Sequence, residues 1–388
     1  MADVSFLNWP FFEQQHRDFW QHIQDWSEQE IGSAIHNYAD LDAECRRIVR
    51  TLGDAKLIDV VVPKLGAEGL DVRTICLARE TLASYSGLYE VMFVMQGLGT
   101  APITLFGSPE IKEKYLPAVR AGHAIAAFAL SEPEAGSDVA AMTTTATPVA
   151  GGWRIDGVKT WISNGGIADH YVLFARTGDA PGAKGISAFM VDASTPGFYV
   201  QKRLEVISPH PIATLRFNNC VIPHDRLLGQ SGDGFKIAMA TLDVFRSTVG
   251  AAALGFARRA LNDSMQRVAT RIVMGRPLIE QQLIQGKIAD MAIDVDTSAL
   301  MVYRSAWTRD VLKTRVTRES SMAKLYATEA AQRVIDEAVQ IFGGLGVTKG
   351  CKAEELYRDI RALRIYEGAS EVQRVIISRQ SMLLAKSA

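Results

Sequence analysis

Near the end of the chain, Leu363, Ile365 and Tyr366 lead into Glu367, and Gly368 follows it. A carboxylate in such apolar company is partly desolvated, which raises its pKa and makes it a stronger base once ionised. Gly368 lets the backbone turn tightly and lets a ligand come close. Glu367 therefore reads as a proton-abstracting base. It reads equally as a Glu at a helix start, salt-bridged to Arg361 or Arg364.

Four other runs carry residues with chemical potential. Phe128 to Asp138 ends in small residues that include Leu130, Ser131, Gly136 and Ser137. Such a loop presents backbone N–H groups and hydroxyls to an anion or a carbonyl-rich ring, or is a turn held by Ser and Asp. Lys159 to Gly166 reads as a strand into a tight turn, carrying Trp161 and Ser163; its structural alternative is a buried aromatic beside a loop. Arg271 to Gln282 is a connection in which Arg271 is either an anion contact or a loop charge. Gln340 to Gly346 ends in glycines that suit a helix C-cap. The seven histidines show no ligand-like spacing, so no metal site is expected. No Gly-x-Gly-x-x-Gly follows an expected strand, so a Rossmann dinucleotide site is not supported.

The elements that must hold these runs change character twice. Residues 11 to about 120 read as helices, with Phe12, Phe19, Trp20, Ile23 and Trp26 at helical spacing. A second helix is expected from Leu41 to Leu52, and a third, buried one from Asp71 to about Met95. Ser108-Pro109-Glu110 has the makings of a helix start, with that helix stopping near Gly122. From about Ala124 short β-like runs take over, at Trp153–Gly157, Tyr171–Ala175, Ile186–Val191 and Thr214–Phe217. Long helices return over Phe235–Val268, Gln281 to about Lys313 and Glu319–Phe342, with a last one after Ser370; four of this length make a bundle. The fold class is α+β. An N-terminal all-α domain (1–123) precedes a small middle β-barrel or sandwich domain (124–233) and a C-terminal four-helix bundle (234–388).

Composition excludes several classes. At 388 residues the chain is long enough for two or three domains. The net charge of -1, without a basic stripe, argues against nucleic acid or an anionic membrane as partner. The four cysteines, Cys45, Cys76, Cys220 and Cys351, have no paired spacing, which fits a reducing cytoplasm. Neither a secretory signal nor a long uncharged apolar run is evident.

Ile-Tyr-Glu-Gly-Ala-Ser-Glu-Val-Gln, from Ile365 to Gln373, resembles the catalytic signature of the acyl-CoA dehydrogenase family of flavoproteins. The four runs above match further family segments in order, and the resemblance covers nearly the whole chain, including the α, β, α succession. It implies FAD as cofactor and Glu367 as the base that takes the α-proton of an acyl thioester, while a β-hydride goes to flavin N5. It implies that Leu130 and Ser131 bond the isoalloxazine edge, Ser137 meets the pyrophosphate, Trp161 covers one flavin face and Ser163 bonds near N5. It places Arg271 and Gln282 on the FAD of a neighbouring subunit, and Gln340 and Gly344 at the adenosine part across a subunit contact. Ser137, Asp243, Arg246 and Gly368 fall where acyl-CoA is held, an Arg–Asp pair inside the bundle being the alternative for Asp243 and Arg246. The partners implied are an acyl-CoA, an electron-transferring flavoprotein and further copies of the chain, commonly four.

The departures from the pattern are informative. Glu134 stands for the usual Gly, Met274 for Phe and Ala369 for Thr. Phe245 occupies the position where a subset of relatives carries the base, which leaves Glu367 alone in that role. Leu204 to Pro211 lacks the family's Gly-x-Arg run, which leaves room for an acyl group on a carrier protein. Relatives that take dicarboxylic acyl groups have an Arg around Leu88 to Met95; none is present here, so a neutral short, branched or cyclic acyl group is expected. An enoyl-thioester reductase of the same fold is a second reading. A flavin-bearing nucleic-acid-binding relative is a third, disfavoured by the missing basic extension.

Overall fold

Local chemistry sets most of the helix boundaries. Ser108 accepts a hydrogen bond from the Ile111 amide, and Pro109 occupies the first helical position, where its missing N–H costs nothing. Asp40 and Asp71 cap two further helices by accepting from Ala43 and Thr74. The computed structural model describes residues 3–32, 38–67, 69–178 and 180–387. In order come helices α1 (Gln14–Glu30), α2 (Leu41–Asp54), α3 (Val72–Tyr85), α4 (Gly87–Phe106) and α5 (Pro109–Arg120). Strands β1 (Ala126–Ala129), β2 (Thr145–Val149), β3 (Gly152–Ser163), β4 (His170–Arg176), β5 (Ile186–Asp192), β6 (Phe198–Leu204), β7 (Ile212–Pro223) and β8 (Leu227–Leu228) follow. After α6 (Gly234–Thr270) comes a two-stranded hairpin, β9 (Ile272–Val273) and β10 (Arg276–Pro277). Helices α7 (Gln282–Asp310), α8 (Thr317–Phe342), α9 (Lys352–Leu363) and α10 (Ser370–Ser387) complete the chain.

Two expectations are corrected. The single helix expected from Asp71 to about Met95 is two helices. Ser86 is extended, at φ -156° and ψ 124°, and interrupts it. At Gly87 a methyl group would lie 2.6 Å from the Asp359 carboxylate, so only glycine lets α9 approach there. The C-terminal segment adds a shorter helix, α9, to the four long ones expected.

The described residues group into two units. One comprises Met1–Ala34, Asp71–Glu90 and Asp243–Ala388; the other comprises Ile35–Leu70 and Val91–Leu242. The first is helical. Its buried helix α3 carries three charged side chains in its core-facing surface, Arg73, Arg79 and Glu80, and each is paired. Glu80, for example, accepts from Arg258 Nε at 2.5 Å and from the Tyr303 hydroxyl. A methyl group at Gly255 of α6 would lie 2.1 Å from the Glu80 carbonyl oxygen, so α3 and α6 pack backbone to backbone.

The second unit is built on one eight-stranded mixed sheet in the order β6-β7-β3-β2-β4-β5-β8, with β1 parallel to β4. The two halves of the sheet join through a single pair, Thr145 with Arg176. Strands β4 and β5 are buried on both faces, which explains their unbroken apolar runs. Of the described helices, α6 alone is long and apolar enough to cross a membrane, and most of its apolar stretch is buried in the protein. The four cysteines are free thiols, three of them buried.

An ion pair lies buried beneath the loop that follows β1. Lys159 Nζ donates to Glu132 Oε1 at 2.8 Å and to the Leu130 carbonyl at 3.0 Å. Glu132 also accepts from the Thr143 and Thr144 amides. Burial alone would raise its carboxyl; Lys159 and these donors outweigh that and hold it down at about 2. Burial pulls Lys159 down to about 8 despite Glu132. The depressed Glu132 carboxyl adds stability above its ordinary range, and that stability is lost as pH falls towards 2. Lys159 gives up its proton as pH rises through about 8; because folding lowers its pKa, its burial as a cation opposes stability below that pH and ceases to do so above it. Lys159→Met leaves a buried anion without its cation; it is expected to cost about 3–5 kcal/mol, read as a lowered thermal-unfolding midpoint at pH 7. A midpoint equal to the wild type would show that the backbone donors alone suffice.

Candidate active site

Glu367 sits in the link between α9 and α10, at φ +52°, a left-handed conformation uncommon for a residue with a Cβ. Gly368 follows at φ +92°, and a methyl group there would lie 2.3 Å from Gln373 Nε2. The link is tied down from two helices. Lys324 Nζ of α8 donates to the Gly368 carbonyl at 2.9 Å, and Gln373 Nε2 of α10 donates to the same oxygen at 3.0 Å. Ser370 caps the turn by donating its hydroxyl to Glu329 at 2.5 Å.

The helix-start reading of Glu367 does not hold. Arg364, one of its two expected partners, binds Glu329 at 2.8 Å. Glu367 Oε2 is buried and accepts no hydrogen bond. Burial raises its carboxyl above the usual range. Arg79, Lys324 and Arg246 oppose that rise, and Glu90 adds to it. Arg246 and Asp243, one helical turn apart, form an ion pair of 3.2 Å, so the pairing reading of these two is the arrangement found.

On the sheet-bearing unit, Leu130 and Ser131 lie beside β3. The Leu130 carbonyl accepts from Lys159 and the Ser131 carbonyl from the Thr160 amide, each at 3.0 Å. The sequence reading offered a buried aromatic as the alternative for Trp161, yet its ring is 60% exposed. The cause is a bulge: the β3–β7 register shifts between Lys159 and Ile162, and Trp161 takes φ +58°. Ser163 Oγ is 2.8 Å from His210 Nε2. Burial pulls His210 down to about 4, so the ring is neutral near pH 7. Ser137 is exposed in the loop, and the space around Gly136 is open.

The remaining candidates lie elsewhere on the helical unit. Arg271 and Gln282 are exposed and flank the β9–β10 hairpin, whose turn residues Met274 and Gly275 both have positive φ. Gln340 is exposed at the end of α8, and its carbonyl accepts from the Gly343 amide of the C-cap. The Gly344 carbonyl accepts from Thr348 Oγ1 at 2.8 Å. Among the described residues no hydrogen bond joins these four to Glu367.

Sequence reasoning missed four residues. Arg79 and Glu90, both fully buried, were passed over inside apolar helical runs, where a lone charge is itself the signal. Lys324 lies inside the helix expected from Glu319 to Phe342, where nothing local marks it. His210 was read as one of seven unremarkable histidines.

An outward-turned indole and hydroxyls on an open loop of the sheet-bearing unit suit a large planar ligand. Residues 13–123, 127–220 and 232–382 match the N-terminal, middle and C-terminal domains of acyl-CoA dehydrogenase. The chain is 40% identical over 334 residues to the human (Homo sapiens) mitochondrial short-chain specific acyl-CoA dehydrogenase, covering 85% of this chain and 81% of that protein. It is similar to the structure of butyryl-CoA dehydrogenase from Megasphaera elsdenii, with TM-score 0.87, 32% identity, and coverage of 96% and 99% of the two chains. It is similar also to a structure described as the electron transferring flavoprotein of Acidaminococcus fermentans, with TM-score 0.87, 33% identity, and coverage of 95% and 98%. On these matches the chain belongs to the acyl-CoA dehydrogenase family, FAD-dependent oxidoreductases that dehydrogenate the CH–CH bond of acyl-CoA thioesters.

Proposed function

We propose that Glu367 is the base of this enzyme and that its substrate is a neutral short, branched or cyclic acyl-CoA. The observation that carries the reading is the Glu367 carboxylate itself: rigidly held, buried at Oε2 and unpaired. FAD, when bound, supplies the two-electron acceptor for the β-hydride. Glu367 takes the α-proton, and its backbone N–H, in the turn before Gly368, is a donor for the thioester carbonyl as charge develops there. Leu130, Ser131, Ser137, Trp161 and Ser163 hold the cofactor, and Ser137, Asp243, Arg246 and Gly368 the acyl-CoA. The preference for a neutral acyl group rests on two facts. Tyr89 and Phe245 are fully buried in the helical unit, and the Arg79 guanidinium is engaged by Glu90 at 2.5 Å and by Thr248 at 2.8 Å, so its donors are taken and not free for a terminal carboxylate.

A homo-oligomer, commonly a tetramer in this family, is part of the same proposal, with Arg271, Gln282, Gln340 and Gly344 serving a neighbouring subunit's FAD. Met274 and Leu283, 94% and 84% exposed beside Arg271 and Gln282, are apolar side chains that a second copy would cover. An electron-transferring flavoprotein is the proposed acceptor of the electrons. The free thiols fit a cytoplasmic location.

Three outcomes test these points. Glu367→Gln should retain the yellow flavin spectrum and lose roughly 10²–10⁴-fold in the anaerobic rate of bleaching by butyryl-CoA; an undiminished rate would remove Glu367 from the role. Because burial raises the Glu367 carboxyl, the bleaching rate of the wild type should already fall on the acid side at a pH above the ordinary glutamate range, as the base becomes protonated. Leu283→Asp should lower the molar mass measured by light scattering if a second copy covers that surface; an unchanged mass would place the interface elsewhere.

A further inference from the structure

Ser163, the last residue of β3, has a partner that the proposed reaction has not yet used. Its neighbour Ile162 is buried, so Ser163 looks to the opposite side of the sheet. Its Oγ lies 2.8 Å from Nε2 of His210, in the link between β6 and β7. The sequence and the ladder together hold the histidine there. Pro211 restricts the backbone of His210 to extended conformations, and Pro209 stiffens the chain before it. One residue beyond Pro211, Ile212 pairs with Ser163 itself in the β3–β7 ladder. His210 also lies in the segment from Leu204 to Pro211, where the chain departs from the usual run of its family.

The proton inventory of this pair is limited. Burial pulls the imidazole down to about 4, so the ring is neutral near pH 7. A neutral imidazole has one N–H and one lone pair, and a hydroxyl has one hydrogen and two lone pairs. An imidazole lone pair is a far better base than a hydroxyl oxygen, so a bond in which serine donates and the ring accepts is the stronger choice. Nδ1 then carries the ring hydrogen. With its own hydrogen committed to Nε2, Ser163 has only lone pairs to offer a ligand.

We propose that His210 is a positioning residue that commits the Ser163 hydroxyl to its ring nitrogen, so that Ser163 meets the flavin as an acceptor and favours the reduced cofactor over the oxidised one. The proposal rests on the reading that Ser163 faces the flavin near N5. That atom is a bare ring nitrogen in oxidised flavin and bears a hydrogen in the two-electron reduced form. An acceptor placed there bonds the reduced form alone, whereas a serine freed from the histidine can turn its hydroxyl to suit either. The pair thereby acts on the driving force of dehydrogenation and leaves the proton taken by Glu367 to that residue. A merely structural pair, tying the β6–β7 link to β3, would lower stability and leave the flavin potential where it was.

The test is the midpoint potential of the bound flavin at pH 7 in wild type, His210→Leu, Ser163→Ala and the double variant. His210→Leu should lower the potential by about 30 mV, a tenfold change in the two-electron equilibrium and the worth of one hydrogen bond. Ser163→Ala should lower it as well, and adding His210→Leu to Ser163→Ala should change nothing further. A second readout needs no variant to be stable: nitrogen NMR of the wild-type holoenzyme carrying isotope-labelled histidine. The His210 ring should show a bare Nε2 and a hydrogen on Nδ1; a hydrogen on Nε2 would overturn the proposal. An unmoved or raised potential in His210→Leu, or additive effects of the two substitutions, would overturn it equally. Should Ser163→Ala leave the potential unchanged, Ser163 does not face the flavin, and that placement fails together with the proposal. A shift in Ser163→Ala without one in His210→Leu sinks the proposal alone.

Discussion

The function proposed for this chain depends on keeping one carboxylate charged where burial opposes its charge. Desolvation pushes Glu367 towards its neutral form, and a neutral acid removes no proton. Everything nearby in the helical unit bears on that conflict. Arg364, a neighbouring cation that could have quenched it, is taken by Glu329. Lys324 and Gln373 grip the turn by its carbonyl, so the strained backbone has no cheap way to relax. Cations from α3, α6 and α8 then supply what water no longer does.

The sheet-bearing unit solves a different problem, which is to keep a polar loop still. Glu132 is the pin. Its carboxylate gathers the Thr143 and Thr144 amides and Lys159, and Lys159 in turn holds the carbonyl of Leu130. The residues proposed to face the flavin therefore rest on a buried charge pair rather than on sequence-local turn chemistry. Asn164 extends the same logic, donating to the Ala126 carbonyl and tying the turn after β3 to β1.

What could be read from the residues alone follows a physical divide. Helix caps such as Ser108 and Asp71, and runs such as those of β4 and β5, are local signals, and they placed most elements within a few residues. The break at Ser86 was not legible in an apolar run, and the closeness of Gly87 to Asp359 comes from a segment far along the chain. Glu367 was found through a nine-residue motif; the buried pair of Arg79 and Glu90 was not. Arg79 and Glu90 lie on separate helices, and only folding brings their charges together. His210 shows the same limit, since its partner Ser163 belongs to another strand.

The bulge in β3 has a consequence beyond catalysis. It turns the ring of Trp161 outward, so a large aromatic surface meets solvent in the bare polypeptide. A ring held outward by the backbone, and not by its own rotamer, offers a planar ligand a surface that is already in place.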